Sequence, residues 1–153
     1  MQQRIAKFNR ILRIREDSRK NEQAILAAER SEERAVLTHI SQLEGEKAQA
    51  ILDFGNTGTH TISANDLWFQ RQFIDAIDTD ITKGKTSLAE VRTRIAGTEA
   101  RLVERHKDVR IMETYLEHLK EIDFQEQLGI EQNELDDVAT TQFSRLNLQN
   151  RRL

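Results

Sequence analysis

Large apolar residues recur every three or four positions from Leu67 onward. Alternating steps of three and four average 3.5 residues, the repeat that keeps an apolar seam facing a partner helix in a left-handed coiled coil. The spacing holds without interruption for about nine heptads, so it predicts one long helix. The stepped positions are Leu67, Gln70, Ile74, Ile77, Ile81, Gly84, Leu88, Val91, Ile95, Thr98, Leu102, Arg105, Val109, Met112, Leu116, Leu119, Asp123, Glu126 and Ile130.

The same spacing runs through the first third of the chain, but its middle is charged. Its two ends are apolar, whereas most stepped positions between 15 and 33 carry a charge. There we expect the side-chain stems to lie along the seam while the charged heads reach water. The positions are Ile5, Phe8, Leu12, Arg15, Arg19, Glu22, Leu26, Glu29, Glu33, Val36, Ile40, Leu43, Lys47, Ala50 and Phe54.

The segment between the two patterns, GNTGTHTISAND at 55–66, consists largely of poor helix formers. Ser63, Asn65 or Asp66 can cap the helix that follows. The sequence therefore predicts a single domain, 1–153, with a helix at about 3–54, a loop at 55–63, a helix at about 64–135 and a polar tail with some disorder. The fold class is all-α, a long antiparallel two-helix coiled-coil hairpin with a longer second helix.

Folding the chain back at the loop pairs residues whose numbers sum to about 120 or 121. The apolar layers are Phe54 with Leu67, Leu43 with Ile77, Ile40 with Ile81, Leu26 with Ile95, Leu12 with Val109, Phe8 with Met112 and Ile5 with Leu116. In this register the first helix ends opposite Leu116. The apolar residues Leu119, Ile122, Phe124, Leu128 and Ile130 are then left without an intramolecular partner.

Composition supports long helices and argues against several other classes. The chain has no proline, 5% aromatic residues and 32% charged residues, but a net charge of only -3. That profile is typical of long helices rather than of disorder. The slight acidity disfavours nucleic acid as a partner. No cysteine, signal peptide or membrane-length apolar run occurs in the sequence, so we expect a cytoplasmic protein without direct membrane insertion.

The sequence carries no enzyme signature, and we expect no catalysis, no cofactor and no metal site. A phosphate-binding glycine loop, an HExxH motif and a nucleophile elbow are all missing. The four histidines, His39, His60, His106 and His118, are scattered along the chain. A two-helix hairpin also offers no closed pocket in which to perturb a carboxylate.

An aromatic cluster, Trp68, Phe69 and Phe73, follows the loop. One interpretation is that these side chains cover the loop and fasten the end of the hairpin. The other is a partner-binding patch, since clustered exposed aromatic residues mark interaction sites. Trp68 fits the first role better, and Phe73 fits the second.

The N-terminal 20 residues are basic in an acidic chain. This stretch contains seven lysine or arginine residues and two acidic residues, so its net charge is +5. Arg145, Arg151 and Arg152 would add positive charge to the same end of the hairpin if the C-terminal segment folds alongside. Ile11 and Ile14 lie off the seam. A solvated charged face is one interpretation, and a dock for an acidic protein cavity is the other. The charge asymmetry of the chain favours the dock.

Several segments resemble the FliJ family, the coiled-coil component of the bacterial flagellar type III export apparatus. These are KFNRILRIRED at 7–17, KNEQAILAA at 20–28, ISANDLWFQRQFIDAIDTDI at 62–81 and ELDDVA at 134–139. The most diagnostic are the basic N-terminal stretch and QRQFI, from Gln70 to Ile74. Stalk proteins of virulence type III secretion systems have the same shape and are a near alternative, and a generic self-associating scaffold is a further one.

The resemblance implies an antiparallel coiled coil similar to the central stalk of rotary ATPases. It implies three partners: the hexameric export ATPase, whose assembly and activity the protein would promote, the cytoplasmic part of the membrane export gate, and the export chaperones. The protein would lie peripherally at the inner-membrane export apparatus. The candidate gate contacts are Gln42, Phe69, Phe73 and Ile77. The candidate ATPase contacts are Arg4, Arg10, Ile11, Arg13, Ile14, Leu119 and Ile122.

Overall fold

The computed structural model describes residues 1–56 and 63–152. Two long helices account for nearly all of them: α1, Gln2–Asn56, and α2, Ala64–Arg151. The helices pack against each other antiparallel, and the described residues contain no strand. The expected all-α two-helix fold is confirmed. Within the described ranges, neither helix is long and apolar enough to cross a membrane.

Ser63, one of the three predicted capping candidates, caps the N-terminus of α2. Its side-chain oxygen accepts a hydrogen bond from the backbone N–H of Asp66 at 3.2 Å, and its carbonyl accepts one from Leu67 at 3.1 Å. Asp66 also places a negative charge in the first turn, where it interacts favourably with the helix dipole. Residues 57–62 of the expected loop, His60 among them, lie outside the described residues.

The second helix does not end near 135 as expected, but continues to Arg151. No proline interrupts it. Thr140 and Thr141 could have competed with the helix, but their hydroxyls donate to the carbonyls of Asp136 and Asp137 one turn back, at 2.8 and 2.9 Å. The polar tail is therefore part of α2.

The chain divides into two compact units. The first unit combines Met1–Ser18 with Arg105–Leu153, and the second is Arg19–Glu104. In both units the residues at the stepped positions of α1 are buried or half-buried, and so are those of α2 from Gln70 to Asp123. The heptad pattern therefore identified the seam correctly along α1 and along α2 from Gln70 to Asp123, but its outer positions Leu67, Glu126 and Ile130 are exposed.

Two apolar clusters form the core of the second unit. One contains Leu43, Ile77 and Ile81, and the other contains Leu26, Val91 and Ile95. The expected pairs Leu43–Ile77 and Leu26–Ile95 thus share a cluster. The layer of Phe54 with Leu67 was wrong, because Leu67 is exposed.

The middle of the seam in the second unit is polar and more buried than expected. The carboxylate of Glu29 accepts a hydrogen bond from the Thr98 hydroxyl at 2.5 Å, and Thr98 is fully buried. Arg101 donates to the same hydroxyl at 2.9 Å and pairs with Glu22 at 3.5 Å. The prediction that the charged heads reach water is wrong for Glu22 and Glu29, since hydrogen bonds across the seam hold both inside.

Ion pairs flank this seam on its solvent side. Lys47 pairs with Asp78 at 2.6 Å, and Arg94 pairs with Glu32 at 2.8 Å. The hydrogen bond from Arg94 lowers the pKa of Glu32, and the same bond raises the pKa of Arg94. Exposed pairs of this kind contribute little to stability, but they add to the alignment of the helices.

In the first unit, α1 reaches further along α2 than the sequence indicated. The Phe8 ring contacts Tyr115 edge to face at 4.9 Å, and the Gln2 side chain donates to Asp123 at 3.3 Å. These pairs sum to 123 and 125 rather than 120 or 121. The shift is about one helical turn, and it explains why Leu119 is buried and Ile122 half-buried rather than unpartnered. From Phe124 to Arg152 every residue is exposed; this segment is called the overhang below.

Candidate protein-binding surfaces

An apolar groove lies in the second unit beside the start of α2. Its floor comes from Ala50, Phe54, Phe69 and Phe73, and we call it the aromatic groove. Phe69 and Phe73 are one turn apart on the flank of α2 and remain 64% and 55% exposed. The seam here consists of small Ala50 and polar Gln70, which do not cover the aromatic rings. The aromatic flank of α2 is therefore left open to solvent.

The rim of the aromatic groove is polar and acidic. Glu46, Gln49 and Asp53 line it from α1, with the Gln49 amide donating to Asp53 at 3.0 Å. An apolar floor with a polar rim is the usual anatomy of a protein-binding patch. The arrangement suits an apolar anchor from a partner.

The candidate gate contacts fall into three structural classes. Phe69 and Phe73 line the groove, and Gln42 is exposed outside its lining. Ile77 is only 5% exposed and packs in the core with Leu43 and Ile81. Ile77 therefore supports the helix beneath the groove and presents almost no surface to a partner.

The contribution of α1 to the groove was not predicted from the sequence. Ala50 and Phe54 were assigned to the seam, and Gln49 and Asp53 were not considered. The predicted pairing already placed Ala50 level with Gln70, because their numbers sum to 120, but it paired Phe54 with Leu67 and so did not bring Phe54 to the groove.

Trp68 is exposed and contacts Phe69 edge to face at 5.1 Å. Its expected role in covering the loop concerns residues 57–62 and lies outside the described residues.

The exposed side of α1 in the first unit is basic. We call Arg4, Lys7, Arg10, Arg13 and Ile14 the basic face; all five are exposed, and Ile14 is 68% so. The Arg4 guanidinium donates to the Tyr115 hydroxyl at 3.0 Å. Arg10 and Arg13 form no hydrogen bond or ion pair with any of the described residues.

The remaining candidate ATPase contacts lie on or near the seam. Ile11 is half-buried beside it. Leu119 is 4% exposed and Ile122 is half-buried, so Leu119 packs inside the seam and offers no surface. The exposed apolar residues of this part of α2 lie further on, in the overhang.

The overhang has a charge pattern that the sequence reasoning missed. The stretch 121–137 holds seven acids and no lysine, arginine or histidine, whereas Arg145, Arg151 and Arg152 follow near the end. The prediction of a basic end took account of these three arginines but not of the seven acids before them. In the first unit the basic character therefore belongs to α1, and α2 carries an acidic stretch followed by a short basic one.

Among the described residues, no group of three or more His, Cys, Asp or Glu side chains could hold a metal ion.

The family model described as flagellar FliJ protein matches residues 3–148. No match was found among curated proteins or among solved structures.

Proposed function

Because the chain belongs to the FliJ family, a component of the flagellar export apparatus, we propose that it acts as a non-enzymatic stalk of the export ATPase complex. In this role it promotes ATPase ring assembly and activity, and connects the ring to the export gate and to substrate chaperones. It lies at the cytoplasmic side of the apparatus without membrane insertion. The family that matches is flagellar, which favours this role over that of a virulence stalk protein.

The observation that carries the proposal is the basic face. Arg10 and Arg13 have no partner among the described residues, and Ile14 beside them is exposed. Unpaired cations around an apolar residue suit an acidic cavity, where complementary charge speeds association and fixes orientation. We assign the ATPase contact to Arg4, Arg10, Arg13 and Ile14. Leu119 is left out because it is buried, and Ile11 and Ile122 are left out because they are half-buried on or beside the seam.

The test is an Arg10→Glu, Arg13→Glu double variant assayed for binding to the cognate ATPase and for ATPase stimulation. We expect the dissociation constant to rise at least about tenfold, because two glutamates would be repelled by the acidic cavity that attracts the two arginines. Lys83→Glu with Lys85→Glu is the matched control, since it changes the charge equally at exposed positions of the second unit. Wild-type binding and stimulation by the first variant would refute the ATPase contact.

We assign the gate contact to the aromatic groove. Phe69 and Phe73 supply exposed aromatic anchors of the kind that dominate binding energy at protein interfaces. Gln42 and Ile77 are left out, because the first is outside the groove lining and the second is buried.

For the gate contact, Phe73→Ala should weaken binding to the cytoplasmic part of the gate while the helical content and thermal midpoint stay unchanged. Ile77→Ala is the contrasting variant, since removing a buried isoleucine costs about 2–5 kcal/mol of stability. Circular dichroism separates the two effects. A large loss of helicity in Phe73→Ala would show that Phe73 is structural.

A further inference from the structure

The overhang exposes an apolar stripe that nothing in the described chain covers. Phe124, Leu128, Leu135, Val138 and Leu146 are all exposed, and their spacing places them on one side of α2. A helix of this length gains most of its stability in water from packing. An uncovered apolar stripe on such a helix indicates an interaction surface.

The charges of the overhang divide along its length in a way that selects a partner. Seven acids occupy 121–137, and Arg145, Arg151 and Arg152 occupy the end. A partner helix complementary in charge would place basic residues beside 121–137 and acidic residues beside 145–152. A second copy of this segment, running antiparallel, places its charges in that way.

We propose that the overhang is a self-association surface, on which a second copy of this chain packs its own overhang antiparallel. Pairing residues whose numbers sum to about 273 sets Leu135 beside Val138 of the second copy, and Val138 beside its Leu135. Leu128 then lies level with Arg145 of the second copy, whose guanidinium reaches Glu131 one layer away. The arrangement has two-fold symmetry and closes at two chains.

Charge decides the direction of the pair. In the antiparallel arrangement, Arg151 and Arg152 lie level with Glu121 and Asp123 of the other chain. A parallel arrangement would instead place the acidic stretches side by side, and like charges across a helix pair select against it. This inference needs neither the ATPase contact nor the gate contact, because the basic face and the aromatic groove lie outside the stripe.

The experiment is sedimentation of the full chain over a range of concentrations, with no partner present. We expect a monomer–dimer equilibrium that Leu135→Glu shifts towards monomer, raising the dissociation constant at least about tenfold, because a buried charge replaces an apolar contact. Ile130→Glu is the matched control. It adds the same charge to an exposed overhang residue on the other side of the helix, and should change the dissociation constant by less than about threefold.

Two further variants test the charges and the direction. Arg145→Glu should weaken the dimer, and adding Glu131→Arg should restore part of the affinity by re-forming the pair with reversed signs. The chain has no cysteine, so Phe124→Cys reports direction cleanly. Its two thiols are far apart in the antiparallel pair and adjacent in a parallel one.

The proposal is overturned by a monomer at every concentration or by equal effects of Leu135→Glu and Ile130→Glu. It is equally overturned by efficient disulfide crosslinking of Phe124→Cys. Each result is independent of the ATPase and gate assays, so failure here leaves the proposed function standing.

Discussion

Thr98 and Glu29 form a buried polar layer in the polar middle of the seam. A buried carboxylate is costly unless it is hydrogen-bonded. Glu29 Oε1 accepts from the Thr98 hydroxyl, which Arg101 links to Glu22, whereas Glu29 Oε2 is buried without a hydrogen-bond partner among the described residues. Such a layer favours one alignment, because sliding either helix would leave the carboxylates buried without donors. Its value therefore lies in specificity more than in stability.

Replacing Thr98 by valine keeps the shape and removes the donor to Glu29. We expect the free energy of unfolding to fall by about 1–3 kcal/mol, the usual cost of an unsatisfied buried group. Urea denaturation followed by circular dichroism measures it. Thr93→Val is the control, since that exposed hydroxyl bonds only the Ala89 carbonyl of its own helix, and it should change stability by less than about 0.5 kcal/mol. Equal effects of the two variants would contradict the role of the layer.

At the scale of the elements, the packing of α1 on α2 depends on one missing side chain. Gly84 is buried in the seam, and a Cβ atom there would lie 2.9 Å from Cγ1 of Ile40. Gly45 has nothing within 4 Å of its Cβ position. Two glycines in helix interiors therefore have different roles: one admits Ile40 into the seam, and the other only weakens α1.

The two glycine-to-alanine variants should therefore diverge. Gly45→Ala should stabilise the protein by about 0.5–1 kcal/mol through helix propensity. Gly84→Ala has the same propensity gain but crowds Ile40, at a cost of about 1–3 kcal/mol, so the net effect is a loss or no gain. Combining Gly84→Ala with Ile40→Ala, which removes both Cγ1 and Cδ1 of residue 40, should give a protein more stable than the sum of the two single effects implies. Thermal unfolding measures all four proteins, and equal stabilisation by both alanines would disprove the crowding.

At the scale of the whole molecule, the seam between the helices ends at Asp123, whereas α2 continues to Arg151. Gln2 contacts Asp123, and every described residue beyond it, in the overhang, is exposed. The overhang consequently adds helix without adding to the cooperative core of the monomer, which leaves its apolar stripe available for a partner.

Truncation should separate seam from overhang. A chain ending at Glu126 should unfold at the same denaturant midpoint as the full chain, measured at a concentration where both are monomeric, because only uncovered residues are lost. A chain ending at Glu117 also loses buried Leu119, and its stability should fall by about 2–5 kcal/mol. A lower midpoint for the first truncation would mean that the overhang supports the monomer.

The sequence alone determined the seam and the ends of the helices at the loop. Both depend on local chemistry: a 3.5-residue repeat defines which side of each helix is apolar, and Ser63 supplies a cap oxygen where the poor helix formers end. The same local pattern marked the aromatic residues Phe69 and Phe73 and the basic face as surfaces of interest.

Only the tertiary structure decided the alignment of one helix on the other. Because apolar positions recur every three or four residues, alignments that differ by a turn satisfy the same pattern, and heptads cannot choose between them. Specific contacts choose: Glu29 with Thr98, Lys47 with Asp78 and Gln2 with Asp123. The one-turn shift in the first unit buried Leu119 and set where the overhang begins.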